Sequence, residues 1–407
     1  MRKKLGIYIH IPFCIKKCGY CDFNSYEGME GVIDEYVRAV KREISLISYE
    51  LSAISYQPYK VISIFFGGGT PTILKSWQLL EILESCKKLF NLKTDAEITI
   101  EANPETLTLD KLKKLRRGGF NRISIGVQSF NDKLLKRLGR VHDSKKAYQG
   151  ILSARNEGFE NISIDLMFGI PDETLKDWED DIETTIKLNP EHISTYNLTI
   201  EEGTQFEKLY SEAKASHYLP DEDRQVEMYE RGIGLLTGTG YEHYEISNFA
   251  KACSERSESN GRKCLHNQIY WRNEEYLGIG AGAHSYMDGE RRWNIKNPEE
   301  YINRLKIRER HAKRKPSAFS LQPPTAGSER LDGNKVMGET IMMELRILEG
   351  INLKSFKKRF EVEIKSTFSD AISRLLSNNL IIFENGHLKL THKGLLFYND
   401  VAAEFLL

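Results

Sequence analysis

Cys14-Ile15-Lys16-Lys17-Cys18-Gly19-Tyr20-Cys21 sets three thiols in a Cys-x3-Cys-x2-Cys run, directly after the apolar segment Ile7-Tyr8-Ile9-His10-Ile11-Pro12-Phe13. Thiolates this close together are soft ligands, suited to zinc or to an iron–sulfur cluster. A structural zinc or an electron-transfer cubane takes four protein ligands, and the next cysteine, Cys86, lies far along the chain. A [4Fe–4S] cluster on Cys14, Cys18 and Cys21 leaves one iron open, and an open iron can bind a substrate. The competing reading is a zinc knuckle completed by a distant ligand such as His10.

Outward from this loop, residues 5 to about 240 alternate short β-branched or aromatic runs with longer amphipathic ones. Strands are expected at Leu5–Ile11, Val61–Phe66, Glu97–Glu101, Arg122–Gln128, Ile162–Phe168 and His192–Leu198. Helices are expected at Gly31–Leu51, Ser76–Phe90, Thr108–Arg117, Ser144–Glu157, Thr174–Leu188 and Asp221–Leu236. Near-continuous apolar strands separated by helices predict an α/β fold with a parallel sheet buried on both faces. Six units are too few to close an eight-stranded barrel, so the expected form is an open, partial (β/α)6 barrel. Its chemistry belongs at the carboxyl ends of the strands, where the sequence places His10, Gly67-Gly68-Gly69-Thr70-Pro71, Glu101-Ala102-Asn103-Pro104, Gln128, Asp165 and Asn197.

The cysteine spacing, with Tyr20 before the last thiol, resembles the cluster loop of the radical S-adenosylmethionine superfamily. The resemblance implies that the open iron is chelated by the amino and carboxylate groups of S-adenosylmethionine. It also implies that one electron cleaves the sulfonium to a 5′-deoxyadenosyl radical. Gly68, Gly69 and Thr70 resemble the segment that holds the cofactor's amino group. Ile-Glu-Ala-Asn-Pro, Gly-Val-Gln-Ser-Phe, Leu-Gly-Arg-Val-His and Ile-Asp-Leu-Met-Phe-Gly place Glu101, Gln128, Arg140 and Asp165 at cofactor contacts of the coproporphyrinogen-oxidase branch. Tyr8 and Tyr20 match further contacts. Carboxylates suit ribose hydroxyls, and Arg140 suits a carboxylate.

Within that branch, the anaerobic coproporphyrinogen III dehydrogenases carry a fourth cysteine two residues beyond the third. Here that residue is Phe23, as in the sister group of heme chaperones. Cys264-Leu265-His266-Asn267-Gln268-Ile269-Tyr270-Trp271 also resembles the His-Asn-x-x-Tyr-Trp motif of those chaperones. The resemblance assigns heme to His266, with Tyr270 and Trp271 offering flat apolar faces and Cys264 as a rival ligand. Leu277-Gly278-Ile279-Gly280-Ala281-Gly282-Ala283-His284 reads as a tight turn or a close backbone approach near the cofactor. The implied function is a heme carrier with a [4Fe–4S] cluster and S-adenosylmethionine, delivering heme to respiratory hemoproteins. The alternative is oxygen-independent coproporphyrinogen III oxidation.

Of the 407 residues 40% are hydrophobic, ample for a core, and 58 Lys plus Arg balance 58 Asp plus Glu. That balance gives no electrostatic case for nucleic acid. Six cysteines behind a short apolar run interrupted by His10 and Pro12 are neither a disulfide framework nor a signal peptide. The expected location is cytoplasmic. Residues 1–240 are expected to form the barrel and 241–316 a connecting segment holding the His266 motif. Residues 317–334 read as a flexible linker or insertion, like the polar stretch 253–260. Residues 335–407 are expected to form a small winged-helix-like domain with a docking or lid role. Its helices are expected at Val336–Leu348, Leu353–Phe360 and Ile364–Ser377, followed by a hairpin at Leu380–Leu390 and a helix capped by Thr391. Arg304–Lys315 carries seven Lys/Arg against one Glu; it reads as a solvated helix or linker, with peripheral membrane contact as a lesser role. Dimerisation is left open.

Overall fold

A computed structural model describes residues 3–54, 59–210, 218–252, 262–314 and 324–406. The six expected strands are present as β1 (Lys3–Ile11), β2 (Tyr59–Gly68), β3 (Leu92–Ala102), β4 (Arg122–Gln128), β5 (Ile162–Phe168) and β6 (His192–Asn197). They pair in parallel, each with the next in sequence. The covering helices are α1 (Ile33–Ile54), α2 (Ser76–Leu89), α3 (Leu109–Gly118), α4 (Ser144–Asn156), α5 (Leu175–Leu188) and α6 (Glu222–Gly238). Their starts follow local chemistry. Thr108, Asp143, Thr174 and Asp221 each accept a backbone N–H of the first turn through a side-chain oxygen. The outward residues of β1 (Leu5, Ile7, Ile9, Ile11) are fully buried and join one core with Tyr36, Val40 and Ile44 of α1. The result is an open partial (β/α)6 barrel.

Residues 241–316 are more than a connector. They add β7 (Tyr241–Glu245) and β8 (Asn248–Lys251) to the β6 edge. They then cross to the other edge as β9 (Tyr276–Ile279), parallel to β1, followed by the antiparallel β10 (His284–Met287) and β11 (Glu290–Asn294). The expected linker is corrected as well: within 317–334, β12 (Thr325–Arg330) pairs with β11. The sheet order is therefore β12-β11-β10-β9-β1-β2-β3-β4-β5-β6-β8-β7. Strands this short are nearly invisible as apolar runs, yet they extend the sheet at the two edges a partial barrel leaves open. The polar stretch 253–260 and residues 315–323 lie outside the described residues.

Between β8 and β9, α7 (Leu265–Trp271) enters the barrel at the amino ends of the strands. A Cβ on Gly6 of β1 would lie 3.0 Å from Ile269 Cδ1 and 3.4 Å from the His266 ring, so glycine there lets the helix seat. The basic run lies on α8 (Pro298–Arg314) as far as Arg314.

The C-terminal unit is winged-helix-like. Its α9 (Gly333–Glu344), α10 (Leu353–Phe360) and α11 (Ser369–Ser377) pack with a three-stranded sheet ordered β13-β15-β14. These strands are β13 (Ile351–Asn352), β14 (Ile381–Glu384) and β15 (His387–Leu390). The β14–β15 hairpin turns at Asn385-Gly386, both at positive φ, and Thr391 caps the following helix through the N–H of Gly394 at 2.9 Å. This unit grips the end of α7. Arg359 donates to the carbonyls of Arg272 and Asn273, Asn273 donates to Thr340 Oγ1 at 3.0 Å, and Arg346 lies 4.4 Å over the Trp271 ring.

Candidate cofactor-binding site

The carboxyl end of the barrel gathers the cysteine loop and the expected cofactor contacts. Each thiol faces a donor: Thr70 Oγ1 lies 3.6 Å from Cys14 Sγ, Arg140 Nη1 lies 3.5 Å from Cys18 Sγ, and Ser25 Oγ lies 3.9 Å from Cys21 Sγ. Donors aimed at three sulfurs suit thiolates that carry a cluster's negative charge. Burial pushes the Cys14 and Cys21 thiols up in pKa, so coordination itself must ionise them. Among the described residues no three His, Cys, Asp or Glu side chains converge on one ion position. His10, the alternative zinc ligand, has both ring nitrogens engaged, by Tyr8 Oη at 3.0 Å and the Asn24 carbonyl at 2.9 Å.

The Gly67–Gly69 loop is held against the cysteines by its lack of side chains. Gly68 sits at φ +116°, and a Cβ there would come within 2.6 Å of the His10 ring; one on Gly69 would lie 2.7 Å from the Phe13 carbonyl. Glu101 accepts the Gly68 N–H at 3.2 Å. Desolvation in the barrel, with Asp165 nearby, pushes its carboxyl up to about 8.

Asn103 joins the parts. It donates to Thr70 Oγ1 at 3.0 Å and accepts from Arg140 Nη2 at 2.7 Å, while Arg140 also donates to the Gly126 carbonyl at 2.8 Å. A chain of contacts thus runs from Cys14 through Thr70, Asn103 and Arg140 to Cys18, tying three strand ends to the loop. The sequence lists Asn103 among the residues at a strand's carboxyl end but gives it no role of its own; its bridging position is the functional signal. Tyr20 stands beside Arg140 and Cys18 with its ring edge-on to Phe206. Gln128 ends β4 at φ 68°, a left-handed conformation rare outside glycine. Its Oε1 and Arg140 Nε are buried with no hydrogen-bond partner among the described residues. Orphan polar atoms at the mouth of the site are what a bound polar molecule would satisfy.

Two expected residues lie deeper. Asp165 is four positions into β5 rather than at its end; side-chain alternation turns it into the lumen, where it accepts from Ser124 and Ser163. His266 lies at the opposite end of the barrel, 1% exposed. Its Nδ1 pairs with Ser63 Oγ at 2.8 Å and its Nε2 with Tyr270 Oη at 3.0 Å, and its ring stacks on Phe65 at 5.0 Å. In this conformation neither nitrogen is free to bond iron. Burial, then Arg122, lowers its pKa to about 3, so the ring is neutral. Cys264 is fully buried beside Glu97, whose carboxylate accepts the Leu265 and His266 N–H groups. Tyr8 spans the two levels, with its hydroxyl on His10 and its ring 6.3 Å from that of His266. Phe23 does not pack into the core: it is 63% exposed on the cysteine loop.

Comparison with known proteins places the chain alongside proteins of this architecture. Residues 8–185 match the model of the radical SAM superfamily and residues 331–397 that of the HemN C-terminal domain. The heme chaperone HemW of Bacillus subtilis is 37% identical over 98% of this chain and 98% of its own length. That of Haemophilus influenzae is 34% identical over 99% of this chain and 98% of its length. The structure of coproporphyrinogen III oxidase (HemN) from Escherichia coli, a radical SAM enzyme, superposes with a TM-score of 0.80 at 22% identity, covering 100% of this chain and 90% of that one.

Proposed function

From the premise that the chain belongs to the HemW family of heme chaperones, on a radical SAM scaffold, we propose that it binds heme and passes it to respiratory hemoproteins. The observation that carries this reading is similarity to heme chaperones along the whole chain, cysteine loop included. Cys14, Cys18 and Cys21 would hold the [4Fe–4S] cluster. When bound, the cluster and S-adenosylmethionine supply one-electron chemistry at the open iron.

The remaining work belongs to the protein's own side chains. Gly68, Gly69 and Thr70 bring backbone close to the cofactor's amino group, and Arg140, with Nε unused, offers a donor to its carboxylate. Glu101, Gln128, Asp165, Tyr8 and Tyr20 line the path to its nucleoside. No helix among the described residues is long and apolar enough to cross a membrane. The proposed setting is the cytoplasm, with the basic run of α8 meeting acidic headgroups when heme is handed over and with two chains pairing during transfer.

The test is anaerobic reconstitution followed by heme titration, read in the Soret band. Saturable binding near one heme per chain is the expected result, with no vinyl product formed from coproporphyrinogen III. Absence of heme binding would overturn the chaperone reading, and product formation would replace it with the decarboxylase.

A further inference from the structure

The histidine of the plug helix α7 is committed inside the lumen. Both its nitrogens are bonded, by Ser63 Oγ and Tyr270 Oη, and its ring stacks on Phe65 at 5.0 Å and Tyr8 at 6.3 Å. Tyr270 in turn stands edge-on to Tyr276 at 4.5 Å. An imidazole so placed can bond iron only by giving up a protein partner, and a macrocycle needs room that a close-packed lumen does not hold. For His266 to take heme, α7 has to shift.

The far end of that helix is held by the C-terminal unit. The chain leaves α7 through Asn273 at φ 46°, a left-handed conformation rare outside glycine. Asn273 Nδ2 donates to Thr340 Oγ1 of α9 at 3.0 Å. Arg359, exposed at the end of α10, donates to the carbonyls of Arg272 and Asn273 at 3.0 and 2.7 Å. Carbonyls at a helix carboxyl end carry partial negative charge, so a guanidinium is a suitable hold.

Arg346 is the second hold. Its guanidinium lies 4.4 Å over the ring of Trp271, the last residue of α7, and 5.2 Å over that of Tyr398 in the helix Tyr398–Ala403. Arg346 Nη2 stands 3.5 Å from the carboxylate of Glu245, fully buried on β7. The backbone joins the same strand: Ile246 N–H donates to the Arg346 carbonyl at 3.2 Å and Leu348 N–H to the Tyr244 carbonyl at 3.0 Å. Plug, edge strand and C-terminal unit thus meet at one residue. The junction is incompletely bonded. Arg346 Nε, Glu245 Oε2, Trp271 Nε1 and Gln268 Nε2 are buried with no hydrogen-bond partner among the described residues. A long buried ion pair gains little over its hydrated partners, and unmet donors regain water when the surfaces part. That is the chemistry of a contact able to open.

We propose that the C-terminal unit is a latch on the heme site: Arg346 and Arg359 hold α7 in the lumen with His266 committed, and heme gains His266 when this contact opens and α7 shifts. The proposal rests on the heme-carrier reading above, with His266 as the ligand that the sequence resemblance assigns. The fraction of opened chains then sets how fast and how tightly heme binds, because apparent affinity scales with the competent population. The coupling is reciprocal, so bound heme loosens the C-terminal unit in turn.

The test compares wild type, Arg359→Ala, Arg346→Met and Ile151→Ala in the anaerobically reconstituted full chain, by hydrogen exchange of the α7 amides and by stopped-flow heme binding in the Soret band. Arg359 is exposed, so its variant keeps the fold; Ile151, buried in the barrel core under α4, is a control that lowers stability away from the latch. The expected result is exchange and heme association each about tenfold faster in Arg359→Ala and Arg346→Met, with both unchanged in Ile151→Ala. Added heme should also speed exchange of the Ile246 and Leu348 amides in wild type. Unchanged exchange and association in both arginine variants, or an equal gain in Ile151→Ala, would overturn the proposal. Absence of heme binding by wild type would overturn the carrier reading, and the exchange data alone would then decide whether the C-terminal unit holds α7.

Discussion

The two ends of the barrel are made by the same strands and differ in whether packing closes them. At the amino end α7 fills the lumen: His266 is met at both nitrogens by Ser63 and Tyr270 and the first N–H groups of the helix by Glu97, while Gln268 Nε2 and Trp271 Nε1 are buried with no hydrogen-bond partner among the described residues. The C-terminal unit then clamps the helix from outside through Arg346 and Arg359. At the carboxyl end, Gln128 Oε1 and Arg140 Nε are buried without partners among the described residues, the thiols are partly open, and Phe23 and His284 face solvent. Both ends hold orphan polar atoms, but the amino end is a packed and clamped plug whereas the carboxyl end leaves thiols and side chains open to a ligand. An imidazole near aromatic rings, the feature both His266 and His284 share, is thus locked in packing at one end and open to solvent at the other.

Removing a cluster thiol should break the contrast most completely. Cys18→Ser is expected to abolish iron and sulfide incorporation and the brown chromophore while leaving the thermal midpoint of the apoprotein close to wild type. Iron analysis and a melt of the same preparation check both halves. Next in size is His266→Ala, which strands the Ser63 and Tyr270 hydroxyls and leaves a hole beneath Phe65. It should cost about 2–4 kcal/mol in denaturant unfolding. A cost below about 0.5 kcal/mol would mean that the plug is not the structural element its geometry indicates.

Glu43→Gln probes the seam between the ends. Burial pushes the Glu43 carboxyl up to about 7, against the opposing effect of its bonds from Tyr301, Gly280 and Asn294. Between its ordinary value of 4.5 and about 7 the unfolded chain has released this proton and the folded one still holds it. This group's contribution to stability is therefore full below pH 4.5, falls as pH rises through that window, and is lost above about 7. The Gln variant should flatten that slope. Because an amide donor must face the Asn294 or Gly280 donor, it should also cost about 1–3 kcal/mol. Smallest in stability are Phe23→Ala and His284→Ala, expected within about 0.5 kcal/mol of wild type because both side chains face water.

The cysteine run, the six apolar strands and the glycine loop could be read without coordinates because each is local. A soft-ligand spacing, a buried parallel strand and a turn needing backbone approach leave their marks within a few residues. The C-terminal helices, hairpin and Thr391 cap were legible for the same reason. Asn103 could be placed at a strand end but its bridging role could not be read, since nothing beside it announces that Thr70 and Arg140 will converge on its amide. The added strands β7–β12 were missed because they are short, four to six residues each, too few to show a period, even though β8 and β9 bury Phe249, Leu277 and Ile279 in the core. Asp165 was placed at a strand end when only the pleat shows it pointing into the lumen.

By itself, then, the sequence determined the barrel class, the thiol set and the family resemblance, all consequences of residue type and short-range spacing. What only the tertiary structure decided is which histidine is locked in the core and which faces solvent. His266 and His284 are nearly equivalent as text, each a histidine near aromatic residues; the first becomes a satisfied core group and the second an open one. The reason is physical: hydrogen-bond satisfaction depends on partners brought from Ser63 and Tyr270 for one ring and from no described residue for the other, and such partners are set by packing.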